Sequence, residues 1–163
     1  MIHFSAVRLA GLALLMLTPM GMASAQLPAG VVMMTPDEIK ALPPLDANVA
    51  PGSPSNTALV GSRTKPGPWV ERVSFPANFT HYPHSHPDDR TYTVISGTLY
   101  LGFGDKLDET KLKALPPGSF WTEPANATHF LVTRNEPITF QVSGTGPFGT
   151  KFVDPAHDPR NKK

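Results

Sequence analysis

The sequence predicts an all-β fold, a sandwich or jelly-roll β-barrel, and three observations carry that prediction. Its 19 prolines and 13 glycines are spread too densely along 163 residues for long helices. Apolar, β-branched and aromatic residues gather in short runs of strand length. Turn-forming residues separate those runs at short, even intervals, as they do in antiparallel sandwiches and barrels. There is no internal repeat.

The first 25 residues stand apart from the fold. Arg8 gives a short basic start, Leu9 to Leu17 form an apolar run, and Pro19 and Gly21 break it ahead of Ala23-Ser24-Ala25 and Gln26. The run is about half of the ~20 residues that a bilayer span requires. Residues 1–25 are therefore expected to be a signal peptide cleaved after Ala25, and the product to be periplasmic or secreted. An uncleaved anchor or a buried helix is the competing reading.

Residues 26–56 read as a Pro-rich N-terminal arm with one short helix. Thr35 can cap it, Pro36 suits the first helical position, Glu38 can close a capping box, and Pro43-Pro44 ends it within two turns. The arm is either a mobile linker or a segment packed on the barrel or on a partner subunit. The barrel itself is expected over residues 57–153. Val70 to Phe75 reads as a strand, and Thr91 to Ser96 leads through Gly97 into another over Thr98 to Phe103. Asp105 to Leu115 is polar and helix-tolerant, an excursion or a helical turn. Pro116-Pro117-Gly118 is a turn. Phe120 to Glu123, His129 to Thr133, Ile138 to Val142 and Thr150 to Val153 supply further strands, and residues 154–163 read as a disordered tail.

Composition excludes several classes of function. Of 14 basic and 13 acidic residues only Arg8 falls in the leader, leaving 13 of each. A balanced charge is no footprint for nucleic acid and no polybasic membrane patch. The absence of cysteine excludes disulfides, a thiolate nucleophile, a cysteine-based zinc site and a lipid-modified cysteine.

The chemistry lies in the histidines. Five follow the leader, and His81, His84 and His86 are clustered. Alternation along a strand puts His84 and His86 on one face. Neutral imidazoles so placed suit a borderline transition metal, although His-x-His alone also fits surface histidines in a Pro-rich turn. The stretch from His84 to Gly97 (HSHPDDRTYTVISG) resembles the first motif of the cupin superfamily, two histidines followed by an acidic ligand and then a glycine. Gly118 to His129 (GSFWTEPANATH) resembles the second, a glycine, five residues, a proline, a small turn residue and a histidine. Asn126 stands where glycine is usual, and asparagine tolerates the left-handed conformation.

The resemblance implies a small single-domain cupin with one divalent metal (Fe, Ni, Cu, Mn or Zn) held inside the barrel by His84, His86 and His129. It also implies pairing of barrels into a homodimer. One departure matters: Arg90 occupies the position of the first motif's glutamate ligand, and a guanidinium cannot ligate. Three readings stay open. The site is an open three-histidine centre with Arg90 gripping an anionic substrate; or Arg90 pairs with Asp88, Asp89 or Glu123, one of which replaces the missing ligand; or the metal site has lapsed and the barrel binds a small anion.

Catalytic candidates are Arg90, His81 and Tyr92. His81 could serve as an acid or base at the rim, or be an exposed loop residue. Tyr92 and Val94 share parity with Arg90 and should face the cavity, and Phe120 and Trp121 should fill or line the barrel. The expected function is that of a metal-dependent enzyme acting on a small anionic molecule, dioxygenase- or lyase-like. The alternative is a non-catalytic metal- or anion-binding, sensing barrel of the cell envelope.

Overall fold

The computed structural model describes residues 28–47 and 52–161. The expected signal peptide lies outside the described residues. The chain divides into two compact units, residues 1–31 and 32–163. Of the first, the described part is a turn in which Val31 N–H donates to the Pro28 carbonyl.

Among the described residues, the second unit has a short helix α1 (Pro36–Ala41) and ten strands: β1 (Ser55–Val60), β2 (Gly67–Phe75), β3 (Thr80–Ser85), β4 (Arg90–Ser96), β5 (Leu99–Phe103), β6 (Lys113–Leu115), β7 (Phe120–Glu123), β8 (His129–Val132), β9 (Ile138–Gly146) and β10 (Lys151–Phe152). They form two five-stranded antiparallel sheets, ordered β1-β2-β9-β4-β7 and β10-β3-β8-β5-β6. This is the jelly-roll arrangement that the strand pattern predicts. Helix α1 has the anticipated start: Thr35 accepts from Glu38 N–H while Glu38 reaches back to Thr35 N–H at 2.6 Å, with Pro36 in the first turn.

Inward residues alternate along β2, β4, β7 and β9. In the first sheet Trp69, Val73 and Phe75 of β2, Tyr92 and Val94 of β4, Trp121 of β7, and Ile138, Phe140 and Val142 of β9 are buried. Leu99, Leu101, Leu115 and Leu131 answer them from the second. Burying these side chains is worth about 1.5–3 kcal/mol each. Polar groups share the interior toward one end, where Glu71, Arg90, Glu123, His84 and His129 are 5% exposed or less. Register brings them together, because Arg90 lies opposite Glu123 on one side and Gly144 on the other, and His84 lies opposite His129.

Four expectations need correction. Phe120 does not line the barrel: it points outward and is 62% exposed, since its strand alternates and Trp121 takes the inner face. Strand β6 lies in the segment read as an excursion or helical turn, where it follows a single 3-10 turn (Glu109–Lys111). Residues 155–161 form two 3-10 turns rather than a disordered tail, tied by Arg160 to Asp158 and to the Thr150 carbonyl. His81 is part of β3, not of an exposed loop, and its ring lies against those of Phe75, Phe79, His84 and Phe152.

Candidate metal centre

Three buried imidazoles converge at the polar end of the interior. His84 sits near the end of β3, His86 one residue beyond it, and His129 opens β8 directly opposite His84. Their exposures are 1%, 8% and 1%. One nitrogen from each lies within 4.8 Å of the others. Two details of sequence produce this. Pro83 has no N–H to give a ladder, and the β3–β8 register shifts between His81 and His84. The turn before β8 passes through Asn126 at φ +65°, the left-handed conformation anticipated for that asparagine, and Asn126 N–H donates to the His86 carbonyl at 2.7 Å.

Backbone carbonyls fix the tautomers. His84 Nδ1 lies 2.7 Å from the Tyr82 carbonyl, His86 Nδ1 2.8 Å from that of Gly149, and His129 Nδ1 3.1 Å from that of Ala127. A carbonyl only accepts, so each Nδ1 carries hydrogen and each Nε2 presents a lone pair. Orienting a ligating histidine through its second nitrogen is the usual support of a metal centre. Burial keeps the rings neutral, as ligation requires. It depresses His84 far below the ordinary histidine range, with His81 and His129 adding to the effect. His86 is lowered to about 3 by burial and then by the charge of Arg90. His129 is lowered by burial, against the pull of Glu123. The donor set fits one first-row transition ion.

Arg90 points inward, but its hydrogen bonds are taken by its own chain. Nε and Nη2 donate to the two carboxylate oxygens of Asp88 at 3.1 and 2.9 Å, and Nη2 also reaches the Gly149 carbonyl at 3.3 Å. The guanidinium lies over the rings of Phe148 and Trp69, 4.5 and 5.3 Å from their centroids. Gly144 makes room for this pair: a Cβ there would stand 2.6 Å from Asp88 Oδ2 and 2.8 Å from the Trp69 ring. Asp88 is thus the acidic neighbour that Arg90 selects among those considered.

Tyr92 stacks on Trp121 and donates its hydroxyl to Glu123. Burial and then the Glu123 charge raise the phenol well above its ordinary pKa, so it stays protonated. The His81 ring centroid is 3.9 Å from that of His84, and burial lowers its pKa to about 4. Glu123 was only one of three substitutes considered from the sequence for the missing acidic ligand. It is 2% exposed; its Oε1 accepts from Trp121 Nε1 at 3.0 Å and lies 3.2 Å from His129 Nε2. The sequence signal was its parity with Trp121, which places both on the inner face of β7.

The fold and the clustered histidines define the class: the chain has the cupin fold. The polyketide cyclase RemF from Streptomyces resistomycificus superposes with TM-score 0.61 at 18% identity, over 78% of this chain and 90% of that one. The DMSP lyase DddQ from Ruegeria pomeroyi DSS-3 gives 0.53 at 15%, over 75% and 60%. An RmlC-like cupin from Shewanella frigidimarina NCIMB 400 gives 0.51 at 15%, over 65% and 85%. Residues 30–163 match the family model described as Domain of unknown function (DUF4437), and the chain belongs to that family. No curated protein matches the sequence.

Proposed function

We propose that this protein is an exported cupin that binds one divalent transition metal through His84, His86 and His129 and acts as a metal-dependent enzyme on a small anionic molecule, with dioxygenase- or lyase-like chemistry. The observation that carries the reading is the set of three buried imidazoles, each tied through Nδ1 to a backbone carbonyl and each with one nitrogen within 4.8 Å of the others. Energy is spent on desolvating three polar rings, which an apolar core would not require.

When bound, the ion would supply Lewis acidity toward an oxygen atom of the ligand. The chain's own groups supply the rest. The Tyr92 phenol remains protonated beside the centre and can give a hydrogen bond or a proton. The apolar face formed by Trp121, Phe140 and Leu131 excludes water from one side. Anion preference arises from the ion's own charge, since Arg90 is engaged by Asp88. That engagement favours a second reading, a non-catalytic metal-binding or sensing barrel of the envelope. Signal-directed export to the periplasm and pairing of two barrels complete the proposal. Neighbours of this fold include a DMSP lyase and a polyketide cyclase.

The test is the metal content of protein purified from its own envelope without chelators. The mature chain should begin at Gln26 and carry near-stoichiometric metal. The variant His84→Ala/His86→Ala should carry none while retaining its β-rich circular dichroism. Undiminished metal in that variant would refute the assignment. Turnover of an oxidisable or eliminable acid that depends on added metal would decide for the enzyme over the sensing barrel.

A further inference from the structure

The buried contact between His129 and Glu123 is chemically unfinished. His129 gives its Nδ1 hydrogen to the Ala127 carbonyl, so the nitrogen facing Glu123 is Nε2 with its lone pair. Glu123 Oε1, also an acceptor, stands 3.2 Å from that nitrogen. Both side chains are 2% exposed or less, so bulk water does not separate them. The carboxylate's hydrogen-bond donors come from elsewhere, Trp121 Nε1 to Oε1 and the Tyr92 hydroxyl to Oε2. Two acceptors held face to face in a dry interior call for a cation between them.

The spacing suits a metal. Two donor atoms bound at ~2.1 Å to one ion, at tetrahedral or octahedral angles, lie roughly 3.0–3.4 Å apart. Strand register gives the reason this carboxylate is available. Arg90, at the position where the first motif would carry its acidic ligand, is the direct cross-strand partner of Glu123. The basic side chain is neutralised by Asp88 in the bend that precedes its strand, which leaves Glu123 free to turn toward the histidines.

We infer that Glu123 is the fourth protein ligand of the centre, so that the acidic ligand is delivered by β7 rather than β4. The inference rests on the three-histidine reading above. Trp121 and Tyr92 act as positioning residues that hold the carboxylate's two oxygens. The centre is then three imidazoles and one carboxylate, a harder donor set that favours Mn, Fe, Ni or Zn over Cu(I).

The test compares Zn²⁺ and Co²⁺ affinity, by chelator competition, for the wild-type protein and Glu123→Gln. Glutamine keeps the shape and one acceptor oxygen, for Trp121 or Tyr92, but removes the charge and the second acceptor. Loss of an orienting neighbour alone costs about 10–100-fold in affinity; loss of a ligand should exceed the upper end and change the visible spectrum of the Co²⁺ form. Infrared difference spectra of the wild type, with and without Zn²⁺, should show one carboxylate antisymmetric stretch displaced. That second measurement decides the matter even if the variant does not fold. Unchanged affinity and Co²⁺ spectrum in Glu123→Gln, or no displaced carboxylate band in the wild type, overturns the inference and leaves the three-histidine site standing. Failure of the wild type to take up either ion overturns both.

Discussion

At the scale of single residues, the Arg90–Asp88 pair governs how the site is read. The two side chains are 4% and 8% exposed and joined by two hydrogen bonds. A buried pair of this kind adds little net stability, but removing one partner strands the other at a cost of about 3–5 kcal/mol. Arg90→Met is therefore expected to lower the unfolding free energy of the metal-free protein by about that amount. Adding Asp88→Asn to it should recover part of the loss. Denaturant unfolding checks both, and an Arg90→Met protein as stable as the wild type would show that Asp88 is rehydrated once its partner is gone. The inward direction of Arg90 was legible from strand parity alone. Its partner was not, because Asp88 lies in the bend before β4, where no periodicity says which way a side chain turns.

At the scale of elements, the turns do what the strands cannot. Gly97 between β4 and β5 has φ +70°, and a Cβ there would collide with the Pro137 carbonyl and approach Ile138 Cγ2 to 2.8 Å. Asn126 takes the same left-handed region in the turn that launches His129. Asn126→Gly should be close to neutral, whereas Asn126→Ala should cost about 1–2 kcal/mol, the penalty for a side chain without a local polar partner in that region. Equilibrium unfolding of the two variants separates these outcomes; equal losses would assign the role to the asparagine amide rather than to its backbone. These turns were readable because glycine and asparagine announce unusual backbone angles. Strand β3 was harder: its sequence, THYPHS, has a proline inside and little apolar character. It pairs on both sides nevertheless, since tertiary contacts with β8 and β10 override local preference. The proline also makes an exposed loop one reading of His81, which the structure places inside the strand.

At the scale of the whole molecule, the interior is divided lengthwise. One end is packed by Val94, Leu99 and Ile138, and the other holds Arg90, Glu123, His84, His86 and His129. The division makes stability depend on pH. In the unfolded chain histidines protonate near pH 6.5, but in the fold His81 and His86 are held at about 4 and about 3 by burial. Between those limits the unfolded chain binds more protons, so stability is fully present above about pH 6.5 and declines as pH falls toward 4. The Tm of the metal-free protein, followed from pH 7.5 to 4, should fall monotonically, and a flat profile would mean that these rings are hydrated in the fold. The barrel, its strand pattern and the three histidines were thus accessible from periodicity and motif spacing. The electrostatic closure of the site was not, because it depends on residues far apart in the chain. The carbonyl of Gly149 receives both His86 Nδ1 and Arg90 Nη2, 63 and 59 residues from its partners in sequence. Strand β10, which follows at once, seals the edge of β3. A ribosome that has made everything through His129 has supplied all three imidazoles, yet the anchor for one of them is still unsynthesised. The orientation of His86 is therefore completed only when the segment leading into the last strand has been made.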